Sequence, residues 1–200
     1  MASFTKFAIM RAFGNLAVSK PVDKITVKDI TDRCGISRNT FYYHYQDIYQ
    51  VLKAYVQYAA EQVIGMMAEE ADDAKAGLTG VRYLEAHREL LCSLYRSAAN
   101  EEVRSCLQSA SQIIFDRFID TISRGMGAEE KDRQILSLIC QYMVQGLMTS
   151  WLDSDGMVNG ESLEEVLVRI DYLLGGMMKE ALSRSASREE NEFPSGDEGL

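Results

Sequence analysis

Arg38, Asn39 and Thr40 stand in succession within GISRNTFYYHYQDIY, residues 35–49, and Phe41, Tyr42, Tyr43, His44 and Tyr45 follow directly. A guanidinium and a carboxamide side by side on a helix are forked hydrogen-bonding groups of the kind that read guanine and adenine edges in a major groove. Tyrosine adds a ring that packs against a thymine methyl or a sugar, and a hydroxyl that reaches a phosphate. The chemistry on offer is recognition of a duplex polyanion. Catalysis has no comparable nucleus: the chain has no H-E-x-x-H, no phosphate-binding glycine loop and no G-x-S-x-G, and of its two histidines one is His44. The expectation is a protein without catalytic residues, metal site or cofactor.

Two short helices must position these groups. Thr26 can cap the first, over 26–34, with Asp29 completing a capping box and Ile25 stapling onto Ile30. Gly35 supplies the left-handed residue that ends it. Ser37 caps the second, over 37–45, and Ile36 staples onto Phe41. Two capped helices joined by a glycine-containing turn form a helix-turn-helix. Spacing sends Ile30, Cys34, Ile36, Phe41 and Tyr45 inward and leaves Arg38, Asn39, Thr40, Tyr42, Tyr43 and His44 outward. Aromatic residues at helical spacing are more often core than contact surface; Tyr42 and Tyr43 escape that reading because they fall opposite Phe41, beside Arg38 and Asn39.

At these residues the chain resembles the TetR family of bacterial transcriptional regulators, over about 4–60, with ITVKDITDRCGISRNTFYYHYQDIYQVL as the specific part. The resemblance implies a three-helix DNA-binding domain followed by a helical body that binds a small effector and dimerises. It implies a phosphate contact for Thr26, a base contact for Lys28, groove-facing places for Arg38, Asn39, Thr40 and Tyr42, and backbone contacts for Tyr43 and His44; Ser37 joins this DNA-facing set. Many members carry a lysine that opens the fourth helix, where this chain reads Gln46, Asp47, Ile48. The run YYHYQDIY is similar to a subgroup of Firmicutes regulators related to dihydroxyacetone metabolism.

Charge distribution agrees with a duplex partner. The whole chain is at -9, yet residues 1–60 carry eight Lys and Arg against four Asp, leaving +4 there and -13 for the remainder. A basic head on an acidic body lets a polyanion approach one end. The four cysteines are widely spaced and follow no signal peptide, which favours a reduced cytoplasmic protein.

Low proline and long stretches rich in Leu, Met, Ala and Glu predict an all-α fold. The first helix is expected over 3–18. The helix-turn-helix domain occupies 1–46, a connecting helix runs over 47–70, and a loosened boundary lies over 71–80. The helical ligand-binding and dimerisation domain covers 71–184, with helices at about 81–97, 101–124, 129–152 and 162–184, and 185–200 reads as a disordered acidic tail. The eighteen uncharged residues 135–152 are long enough for a membrane span. Ser137, Gln141, Gln145 and Thr149 instead make one polar stripe, which favours a soluble helix covered by protein on more than one side and no membrane. Apolar stripes on this helix and the last one predict an isologous four-helix homodimer interface at Ile139, Met143, Gly146, Leu147, Ile170, Leu174 and Met177. Effector candidates are the polar and aromatic residues of the middle helices: Tyr58, His87, Tyr95, Gln112, Phe115 and Tyr142. The expected function is a homodimeric, sequence-specific DNA-binding regulator, a repressor on a palindromic double-stranded operator, released or altered by a small-molecule effector. The alternative is an adaptor or coactivator that keeps the fold and acts through a partner protein.

Overall fold

Pro21 stops helix α1 (Ala2–Ala17), and a 3-10 turn at Val22–Lys24 carries the chain into α2 (Val27–Cys34) and α3 (Arg38–His44). The computed structural model describes residues 2–70, 73–97, 101–174 and 176–187. Both short helices end as their sequences dictate. The Thr26 hydroxyl accepts from the Asp29 amide at 3.1 Å while the Asp29 carboxylate accepts from the Thr26 amide at 2.7 Å, and Gly35 sits at φ 68°, ψ 32°. Ser37 Oγ accepts from the Thr40 amide at 3.1 Å. Helix α4 (Ile48–Ala68) is capped by Asp47, which accepts from the Gln50 amide at 2.8 Å.

The body consists of α5 (Asp73–Ala86), α6 (Arg88–Arg96), α7 (Glu101–Ile122), α8 (Glu130–Asp153), α9 (Leu163–Leu174) and α10 (Met177–Ala186). The fold is all-α, with ten α-helices among the described residues. Three boundaries depart from the sequence reading. The stretch expected to be loose over 71–80 is helical from Asp73 onward, because Gly77 is used for close approach: a Cβ there would lie 3.3 Å from Leu167 of α9. The helix expected over 81–97 breaks at His87, whose Nδ1 lies 2.8 Å from the Tyr83 carbonyl oxygen and competes with the backbone for it. The helix expected over 162–184 breaks at Gly176, φ 80°, and the tail is ordered through Ala186, where Ser185 Oγ accepts from the Glu129 amide at 2.9 Å. Residues 188–200 of the expected tail lie outside the described residues.

Burial is organised in three cores. The first joins Ile9, Phe13, Ile30, Phe41, Val51 and Leu52 to Leu90 and Leu94 of α6 and Val103 of α7, so the head and the near end of the body share one interior. A buried hydrogen bond from the Val22 amide to Ser97 Oγ, 3.2 Å, crosses the same junction. The second core surrounds Trp151 with Val81, Val158, Leu163 and Val166; Arg88 lies over the Trp151 ring, its carbon 5.6 Å from the ring centre. The third, at the far end, gathers Ile119, Ile122, Cys140 and Leu182.

Helix α8 is long and apolar enough to cross a membrane, yet only 22% of its apolar window is buried within the chain. Its polar stripe begins inward, with Ser137 and Gln141 buried against α7, while Ile135, Leu138, Ile139, Tyr142 and Met143 face out.

The Lys20 ammonium donates to Asp29 at 2.6 Å, and with Thr26 it lowers the Asp29 pKa from 3.8 to about 2. The folded state therefore favours the carboxylate. That stabilisation is present in full above about pH 4 and is lost as pH falls toward 2. Asp29→Asn is expected to lower the urea midpoint at pH 7. The gap from the parent should close between about pH 4 and pH 2; a gap unchanged across that window would count against the assignment.

Candidate nucleic-acid interface

Phe41 is completely buried, with its ring edge-on to Tyr42 at 5.5 Å and tilted against Tyr45 at 6.2 Å. Because α3 turns through 100° per residue, fixing Phe41 inward sets the bearing of every neighbour. Arg38 and Asn39 are exposed, Tyr42 is 55% exposed and Tyr43 is 82% exposed. Thr40 and His44 are half-buried at the edge of this face, and the Tyr43 and His44 rings meet edge-to-face at 5.0 Å. Every α3 residue expected to face a duplex thus lies on or beside one solvent-open surface.

The residues flanking α3 are placed less simply. Thr26 is exposed, but its hydroxyl donates to Asp29 Oδ2 at 2.7 Å while accepting from the Asp29 amide. A phosphate contact from that hydroxyl requires it to give up Asp29. Lys28 is exposed and paired with Asp32 at 3.1 Å across one helical turn. Such a pair contributes little and is readily exchanged for a phosphate. Ser37 is occupied as the α3 cap, 2.9 Å from Thr40 Oγ1. At the start of α4, beside the Asp47 cap, Gln50 Oε1 accepts from the Gln46 backbone amide at 3.0 Å and Gln50 Nε2 donates to Gln46 Oε1 at 3.0 Å, so a carboxylate and two carboxamides stand there in place of an ammonium.

Two family models match the chain. That of bacterial regulatory proteins of the TetR family matches residues 9–55, and that of a transcriptional regulator C-terminal region matches residues 78–174. The chain belongs to the TetR family. Solved TetR-family regulators share the fold of the whole molecule. One from Rhodococcus sp. superposes with a TM-score of 0.62 at 18% identity, over 85% of this chain and 98% of that one. One from Streptomyces coelicolor gives 0.62 at 15% identity, over 96% and 92%. NalD of Pseudomonas aeruginosa, described as the secondary repressor of the MexAB-OprM multidrug efflux pump, gives 0.58 at 20% identity, over 92% and 99%. No curated protein matches the sequence.

In this TetR-family protein the expected effector residues occupy different surroundings. Tyr58 meets the Phe7 ring edge-on at 5.6 Å, and the His87 ring stacks on Tyr83 at 4.1 Å. Tyr83 joins these two places: burial first, then the neighbouring Tyr55 and Tyr58 phenols, push its pKa upward. Tyr55 with Tyr58 and Tyr83 with His87 have the spacings of single helix faces. Tyr95 is half-buried on α6, Phe115 packs in the third core, Tyr142 is 60% exposed on α8, and Gln112 lines a cleft between α7 and α8. Of the expected dimer residues, Ile139, Met143, Gly146, Leu174 and Met177 are on the surface, whereas Leu147 and Ile170 pack into the second core of their own chain. Among the described residues no group of His, Cys, Asp and Glu is arranged to hold a metal ion. The four thiols are free, and burial pushes those of Cys34, Cys106 and Cys140 upward, away from the reactive thiolate.

The two faces of α3 separate stability from recognition. Phe41→Ala is expected to cost about 3–5 kcal/mol of folding stability. Tyr43→Ala should stay within about 0.5 kcal/mol of the parent in the same urea titration while weakening DNA binding. Comparable destabilisation by both substitutions would show the orientation of α3 to be wrong.

Proposed function

We propose that this DNA-binding regulator works as a homodimer whose two α3 helices enter successive major grooves of a palindromic operator. The proposal rests on α3, which presents Arg38, Asn39, Tyr42 and Tyr43 to solvent while Phe41 holds its opposite face in the core. Twofold symmetry would set the two recognition helices about 34 Å apart, one turn of the duplex. Arg38 and Asn39 are the base-reading groups, Thr40 and Tyr42 support them in the groove, and Tyr43 and His44 reach the backbone. Lys28 adds a contact by exchanging Asp32 for DNA, and Thr26 and Ser37 stand at the two helix starts.

The second copy is supported by the outer face of α8 and the α9–α10 elbow, where Ile135, Leu138, Ile139, Tyr142, Leu173 and Met177 are all exposed. Exposed apolar side chains in that number favour an interface. Its centre falls at Ile139, Met143, Leu174 and Met177, with Gly146 allowing close approach. Another protein chain suits this face better than lipid, because the inward side of the same helix is tied by Ser137 and Gln141 to the polar α7. The site of action is the cytoplasm, where the operator is.

The regulator acts as a repressor, since occupying an operator needs no further surface, and a small effector alters the separation of the two α3 helices. Of the subgroup suggested by YYHYQDIY, one structural neighbour is the dihydroxyacetone kinase operon activator DhaS, with a TM-score of 0.58 at 18% identity over 88% of this chain and 96% of that one. At that identity it supports the fold alone. The adaptor alternative is favoured by one observation, the Asp47 carboxylate capping α4 where many relatives place a lysine.

A gel shift on the DNA upstream of its own gene tests the proposal. Affinity should fall by about a thousandfold or more between 50 and 200 mM salt if some six phosphates are contacted. Arg38→Ala should abolish the specific shift. Regulation in cells that survives Arg38→Ala with Tyr42→Ala would favour the adaptor. Sedimentation equilibrium should give a dimer that Ile139→Glu converts to monomer; a monomeric parent would overturn the twofold arrangement.

A further inference from the structure

The four carboxylates of residues 1–60 are all engaged. Lys20 holds Asp29, Lys24 holds Asp23 and Lys28 holds Asp32, while Asp47 caps α4. Lys6 of α1 has a partner of another kind. Its ammonium lies over the Tyr45 ring, 6.0 Å from the ring centre, and among the described residues it forms no ion pair. The negative face of an aromatic ring attracts a cation without cancelling its charge, whereas a carboxylate cancels it. Burial pushes the Tyr45 pKa upward, so the phenol beneath the ammonium stays neutral. Lys6 is otherwise exposed and keeps its charge available to solvent.

Its position gives that charge a use. Tyr45 is the C-cap of α3, directly after Tyr43 and His44, and stands two residues before the Asp47 cap of α4. Two residues of chain span at most about 7 Å. A second contact fixes the same part of α1 against this end of the domain, with Cys34 Sγ donating to the Ala8 carbonyl oxygen at 3.4 Å. Lys6 therefore stands where α3 ends and α4 begins. A phosphate arriving there meets the Asp47 carboxylate, and like charges repel. A cation beside it that is not already neutralised offsets that repulsion. Lys20, Lys24 and Lys28 are each held by an aspartate, and Lys6 has none to give up.

We propose that Lys6 is a phosphate-binding residue of the operator interface, its ammonium donating to the DNA backbone beside Tyr43 and His44. The inference rests on the operator reading and extends the interface to α1, outside the two helices that carry the recognition motif. Tyr45 is the positioning residue, since its ring holds the lysine stem at the end of α3.

Fluorescence anisotropy of the full chain tests it, on the DNA upstream of its own gene and on a scrambled duplex of equal length, across about 50 to 200 mM potassium chloride. Each phosphate contact contributes about 0.9 to the slope of log affinity against log salt. Lys6→Met keeps the stem and removes the charge, and should reduce the slope by that amount on both duplexes, because a phosphate contact carries no sequence information. Lys6→Arg should keep the parent slope, and so should Lys131→Met, at an exposed position on α8. A urea midpoint equal to the parent's establishes that Lys6→Met is folded; should the midpoint move, Lys6→Gln must show the same loss of slope. Specific binding by the parent with an unchanged slope for the Lys6 variants overturns the Lys6 contact and leaves the operator reading standing. An equal loss from Lys131→Met also overturns it, by showing that net charge alone sets the slope. A parent that binds neither duplex overturns the contact and the operator reading together.

Discussion

The burial of Phe41 is the constraint on which the recognition surface depends. Helix α3 is seven residues long, too short to persist by its own backbone hydrogen bonds. It exists because Ser37 caps its start and because one ring is fixed in an interior shared with α1, α2 and α4. An anchored ring on a short helix has one rotational setting. That setting carries Arg38, Asn39, Tyr42 and Tyr43 outward together, so a packing requirement produces a chemical surface. The charges around that surface are held locally: Lys20 with Asp29, Lys28 with Asp32, and Asp47 on the α4 amides.

The head is not an independent unit resting on a body. Its interior continues through α4 into Leu90, Leu94 and Val103, and Ser97 takes the Val22 amide across the junction. A shift of α6 or α7 cannot leave α1 undisturbed, because close-packed interiors do not yield gradually. At the far end the third core is small and separate, and the polar seam of α7 and α8 runs toward it. The molecule therefore couples most tightly at the junction near the DNA-reading end and carries its polar cleft along the body, away from that end.

The parts of the sequence that proved legible are those in which neighbours in the chain are also neighbours in space. The capping box at Thr26 and Asp29, the left-handed Gly35 and the Ser37 cap are all local, and each stands where its residue type requires. The same logic applies to the Ser162–Glu165 box that starts α9, an S-x-x-E signal available to the same reading. Glycine was the weaker guide. Gly77 and Gly80 read as loosening, yet they lie inside α5, where Gly77 lets Leu167 come close. His87 ended a helix through its side chain, an effect that periodicity cannot express.

The two short helices and the inward and outward faces of α3 came from the sequence alone, because each follows from spacing within a single element; the helical class came from composition, and the family from the resemblance of the helix-turn-helix run. Tertiary structure alone decided which elements meet. It turned the Ser137–Gln141 part of the α8 stripe inward against α7 and left the apolar side open, sent Leu147 and Ile170 into their own core, and joined Tyr55, Tyr58 and Tyr83 from two helices. The physical reason is that a helix with several apolar stripes has more than one surface worth burying. Which of them is buried depends on the volumes and hydrogen-bonding groups of partners distant in the chain.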